Sequence, residues 1–168
     1  MKQNIIILVA SVILTSCGNN NTTEKGFSVG FNKGVKVSSI GLKTVNSGLS
    51  LTDSYLTVEG VKIESNEVQI GKKVAIVFEG IEGFKEKNGK VFPALNIVVL
   101  DAANKVVISY DDLLKSETGY NVKDATVLTG ALTIGDPLKQ RQNYTLTVSV
   151  GDKEGEGSIL GNVTLKIK

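Results

Sequence analysis

From residue 55 onward, runs dense in Val, Ile, Thr and Leu are separated by short clusters of Gly, Asp, Asn and Pro, and apolar positions recur with a period near two. That spacing belongs to strands with one buried face. It predicts strands over residues 55–63, 74–79, 94–101, 106–110, 126–134, 144–150 and 162–167. In Tyr144-Thr145-Leu146-Thr147-Val148-Ser149-Val150 the Tyr, Leu and Val side chains share one face, and Thr and Ser share the other. Ala102-Ala103-Asn104-Lys105 is expected to make a tight hairpin, and Gly135-Asp136-Pro137 to break the chain before the strand at Tyr144. Helical character is confined to Asp111-Asp112-Leu113-Leu114-Lys115, expected as one turn with carboxylates at its N-terminal end. Strands on short links predict an all-β, single antiparallel sandwich of about seven to nine strands over residues 53–168.

The chain before that domain reads differently. Residues 27–52 place Gly30, Gly34, Gly41 and Gly48 among short apolar pairs, which fits either a linker or extra edge strands. The likeness of Gly34-Val35-Lys36-Val37 to Gly60-Val61-Lys62-Ile63 is too short for a repeat. Residues 17–26 are polar and rich in Asn and Thr, the composition of a flexible tether. Lys2 precedes an apolar run from Ile5 to Leu14, which is too short to span a bilayer and has the form of an export signal over residues 1–16.

That run ends in Leu14-Thr15-Ser16-Cys17, which resembles the bacterial lipobox. The resemblance implies cleavage before Cys17, acylation of its sulfur, and anchorage to a lipid bilayer in the cell envelope. Cys17 is the single cysteine of the chain, so the domain has no disulfide and depends on packing. Gly18 rather than Asp follows the cysteine, which in lipoproteins of this kind implies transfer to the outer membrane. The first acid is Glu24, which favours the periplasmic face over the cell surface.

A second resemblance lies near the C-terminus. Tyr144-x-Leu146-x-Val148-x-Val150-x-Asp152-x-x-Gly155 is similar to the penultimate strand and turn of immunoglobulin-like domains of the polycystic-kidney-disease and cadherin-like kinds. Leu138, six residues before Tyr144, matches the tyrosine corner of fibronectin type III domains, implying a hydroxyl bonded back to the upstream backbone. The chain departs from antibody domains in having no Trp and no inter-sheet cysteines.

Charge and chemistry narrow the function classes. The chain holds 19 basic and 17 acidic residues, with Lys2 in the leader, so there is no net field to collect nucleic acid. It has no His, which excludes Ser-His and Cys-His nucleophiles and His-ligated zinc. Gly155-x-Gly157 lacks the following Lys-Ser or Lys-Thr of a phosphate cradle. The expectation is a non-enzymatic domain without a resident cofactor. The polar constellation that stands out places Glu82 and Glu86, Asp111 and Asp112, and Asp152, Glu154 and Glu156 at one end of the sandwich. Such a cluster is either a Ca²⁺ site, with Asp111, Asp112, Asp152, Glu154 and Glu156 as ligands, or a solvated turn balanced by Lys85, Lys87, Lys90 and Lys153. Three tasks remain open: docking an envelope partner; capturing a small molecule or glycan for an outer-membrane transporter, through Phe84, Phe92, Tyr110 or Tyr120; and carboxylate-based hydrolysis.

Overall fold

The computed structural model describes residues 33–168. The leader, Cys17, the tether and residues 27–32 lie outside the described residues. Eleven strands form: β1 (Gly34–Val37), β2 (Lys43–Ser47), β3 (Asp53–Val58), β4 (Val61–Lys62), β5 (Glu67–Val68), β6 (Lys73–Glu79), β7 (Pro93–Leu100), β8 (Val106–Tyr110), β9 (Val127–Thr133), β10 (Asn143–Asp152) and β11 (Ser158–Ile167). One sheet has the order β1-β2-β11-β10-β7-β8, with β5 alongside β11; the other has the order β4-β3-β6-β9. Neighbours are antiparallel except β5 and β11. β3, β6 and β9 therefore face β7, β10 and β11, the layering of a β-sandwich.

Alternation makes the core. Along β10, Tyr144, Leu146, Val148 and Val150 are buried while the intervening residues are half-buried. Val74, Ile76 and Phe78 of β6 enter from the opposite sheet. Two glycines let the sheets interlock. A Cβ on Gly130 would run into Val148, and one on Gly161 would stand 2.9 Å from the Phe78 ring. At the entry to β10 the Tyr144 hydroxyl accepts the Lys139 backbone N–H at 3.1 Å, and Leu138 is buried beside it.

The strand count exceeds the seven to nine expected, for identifiable reasons. Residues 55–63 are not one strand, because Glu59 (φ 51°) and Gly60 (φ 81°) are both left-handed and fold the chain into the β3–β4 hairpin. Two positive-φ residues match the right-handed twist of the strands they join. The Glu59 carboxylate accepts the Lys73 N–H at 2.6 Å and holds the turn. Residues 34–47 form β1 and β2, which extend the larger sheet beyond β11. The expected helical turn at Asp111–Lys115 is absent. Asp112 is left-handed (φ 47°), and the Leu113 N–H donates to the Leu95 carbonyl at 2.8 Å instead of to a helical partner. Among the described residues, the helical element is a 3-10 turn at Val122–Ala125.

Candidate functional site

Three links converge at one end of the sandwich: residues 80–92, residues 111–120, and the turn joining β10 to β11. Asp152, the last residue of β10, is the buried carboxylate among the described residues, and both its oxygens accept backbone N–H groups. Oδ2 takes Lys85 at 2.7 Å and Oδ1 takes Glu154 at 3.1 Å. A carboxylate satisfied this way caps its own turn and pins a loop 67 residues away in sequence. The Lys153 N–H donates to the Phe92 carbonyl at 3.0 Å, and Val91 pairs with Tyr120, so the three links form one braced rim.

The acids of this rim meet lysines. Lys153 Nζ lies 2.7 Å from Asp112 Oδ2, and Lys87 Nζ lies 3.0 Å from Glu154 Oε1 and 6.0 Å from the centre of the Phe92 ring. Lys90 Nζ donates to Asn121 Oδ1 at 2.6 Å. Asp112 Oδ1 is buried without a hydrogen-bond partner. Of the acids expected to cluster, Asp152 and Glu154 share the β10–β11 turn and Asp112 is tied to that turn through Lys153, while Asp111, Glu156, Glu82 and Glu86 are exposed. Among the described residues, no group of three or more His, Cys, Asp or Glu is arranged to hold a metal ion. The arrangement alternates charge, and its chemistry is bracing.

The aromatic candidates are dispersed. Phe84 packs against the core, Phe92 lies beneath Gly119 and Lys87, and Tyr120 is half-buried in its bridge to Val91. Tyr110 is 49% exposed and lines an open depression of about 390 Å³ with Ile108, Leu113 and Leu132.

Sequence reasoning missed a second polar assembly, on the outer face of the four-stranded sheet. Rows Tyr55–Val77–Thr129 and Thr57–Ala75–Ala131 floor a shallow open trough of about 450 Å³. The Tyr55 hydroxyl donates to the Glu79 carboxylate, which holds the phenol above its ordinary pKa, and Lys62 Nζ sits 4.5 Å from the centre of the Tyr55 ring. Asp53 receives Lys36 at 2.7 Å and Lys62 at 3.2 Å. The hydrogen bond from Lys36 is the main cause that lowers the Asp53 pKa from 3.8 to about 2. Because Lys36 is in β1 and Asp53 in β3, this pair ties the edge of one sheet to the other. The signal available in the sequence was the odd-numbered series Asp53, Tyr55, Thr57, Glu59, which alternates against apolar Leu56 and Val58.

The fold and this polar bracing define an antiparallel β-sandwich domain with a rigid loop rim. No protein-family model matches the chain, and no curated protein is significantly similar to it.

Proposed function

We propose that this chain is a lipid-anchored, non-catalytic module of the bacterial cell envelope, whose sandwich docks a partner protein through its loop rim. The anchor is the acylated Cys17 of Leu14-Thr15-Ser16-Cys17, and the site is the periplasmic face of the outer membrane. The observation that carries the docking reading is the state of the rim. Three of its carboxylates, Asp152, Glu154 and Asp112, are engaged by backbone amides and lysines, which braces the loops against one another. Preorganised loops on a rigid scaffold lose little freedom on binding, which favours recognition of another folded surface. The depressions described above are shallow and open rather than enclosed, which fits docking better than ligand capture.

Crosslinking from a photoreactive residue at Glu156 or Glu82, in the cells that make the protein, tests this reading. A discrete adduct formed from the rim, and lost when the probe is moved to Thr129, supports docking. Uniform labelling from all three positions refutes it. Cys17→Ser should move the chain from the membrane fraction to the soluble one.

A further inference from the structure

The larger sheet has an outer face of unusual composition. Reading across the registers, one row runs Val35–Val45–Leu160–Ser149–Asn96, and the next runs Val37–Lys43–Asn162–Thr147–Val98–Ser109. None of the outward positions of β1, β2, β11, β10, β7 or β8 is acidic. The carboxylate on this face belongs to Glu67 of β5, and Lys168 holds it. Lys43 and Lys166 are exposed basic residues on the face. Its apolar members concentrate at one end: Val35 is 66%, Val37 64% and Leu160 40% exposed, with Val45 half-buried between them.

β1 alternates, but its apolar side points away from the core, since Lys36 crosses to Asp53 on the inner side. Two valines that could have faced the core are turned to the surface, against the usual sense of a sandwich strand. In the sequence, Phe27, Val29 and Phe31 share the parity of Val35 and Val37, with Lys33 standing between the two groups. Among the described residues, β1 is the strand nearest in sequence to the lipobox cysteine. The chain from Gly18 to Asn32 spans at most about 50 Å even when fully extended, which bounds how far β1 can stand from the surface that holds Cys17.

We propose that the β1–β2–β11 end of this outer face rests on the bilayer that anchors the chain, with Val35, Val37, Val45 and Leu160 against the interface and Lys43 among anionic headgroups. This rests on the lipid-anchor reading above. Apolar exposure and a lack of carboxylates are the two properties that a negatively charged interface selects in a surface lying on it. The described chain also begins at this end, with β1. The four-stranded sheet, with Asp53, Glu59 and Glu79 outward, then faces away from the lipid.

The test uses the full chain in its acylated form, reconstituted in vesicles of phosphatidylethanolamine and phosphatidylglycerol (3:1) that carry a nitroxide-headgroup lipid. Once Cys17 bears lipid, an introduced cysteine is the one reactive thiol. A fluorophore is placed on Val35→Cys or Leu160→Cys, and on Val127→Cys of the opposite sheet, all at well-exposed positions. Flotation is read first. If the acylated chain fails to float with the vesicles, the anchor reading and this proposal fall together. If it floats, quenching at least twofold greater at Val35 and Leu160 than at Val127 is expected. Equal quenching at the three positions overturns the orientation and leaves the anchor standing. Self-quenching between labelled copies at Val35 that persists without the nitroxide lipid also overturns it, in favour of pairing between two chains.

Discussion

The two sheets share one core but present opposite exteriors. Outward positions of the four-stranded sheet hold Asp53, Glu59, Lys73 and Glu79 around Tyr55, tied into ion pairs and hydrogen bonds. Outward positions of the larger sheet are Thr, Ser and Asn with valines and lysines. The near-neutral charge of the whole chain conceals this, because among the described strands the outward carboxylates lie mainly on the four-stranded sheet while lysines occur on both faces. Net charge governs long-range fields, whereas the pattern of alternation decides which surface a partner meets.

The inner faces should be interchangeable in cost and the outer ones should not. Phe78 is fully buried where Gly161 makes room for its ring. Phe78→Ala removes the largest fully buried side chain and leaves a cavity between the sheets, at an expected cost of about 3–5 kcal/mol. Urea unfolding measured by circular dichroism reads the loss. A cost below about 1 kcal/mol would mean that the sheets close on each other without the interlock described here.

Next in size is the corner that carries the chain into β10. Tyr144→Phe keeps the ring in the core and removes the acceptor for the Lys139 N–H, so about 0.5–1.5 kcal/mol should be lost. Gln at position 139 would leave the bond in place, since the donor is backbone. The two variants therefore separate the hydroxyl from the side chain it faces.

How much of this was legible in the sequence follows the same division. Strands at residues 74–79, 94–101, 106–110 and 126–134 appear within a residue or so of the predicted bounds, because each is a short run rich in Val, Ile and Leu with turn residues on either side. The β3–β4 hairpin was hidden, since Glu59 gives no local sign that it will adopt a left-handed backbone; Gly60 supplies half of the usual signal. β1 was obscured because its alternation points outward, and a search for core-facing strands passes over it. At the rim, the sequence placed Asp112, Asp152 and Glu154 together. It could not show that Asp152 turns to backbone amides or that Lys153 reaches Asp112, because those pairings depend on a left-handed residue and a register between distant strands.

A weaker effect tests the tie between the exteriors. Above its ordinary pKa of 3.8, Asp53 is charged in folded and unfolded chains alike, and the Lys36 and Lys62 pairs contribute fully to folding. As pH falls toward 2 the unfolded chain takes up the proton first, so that contribution fades across this window. The pairs are partly exposed, and solvent screening holds their worth to about 0.2–1 kcal/mol. Asp53→Asn should flatten the stability profile between pH 4 and 2 by that amount and increase hydrogen exchange at β1. Unchanged exchange there would show that β2 alone holds the edge strand.

The smallest effect on folding is also the sharpest test of the contrast. Asn162→Asp is nearly isosteric and places a carboxylate opposite Lys43 in the middle of the larger sheet's outer face, where the outward positions of β2, β11 and β10 carry none. Its effect on stability should stay within about 0.5 kcal/mol, because the site is partly exposed and the new charge has a lysine beside it. Its effect at the membrane should be larger. The carboxylate engages Lys43 and repels anionic headgroups, so quenching of a Leu160 probe in phosphatidylglycerol-containing vesicles should fall, with little change in vesicles of phosphatidylcholine. The matching change on the other sheet, Thr129→Asp, adds a carboxylate to a face that already holds three and should leave the same probe unaffected. If both variants alter quenching equally, net charge governs the contact, and the sorting of acids between the two faces has no bearing on how the domain sits.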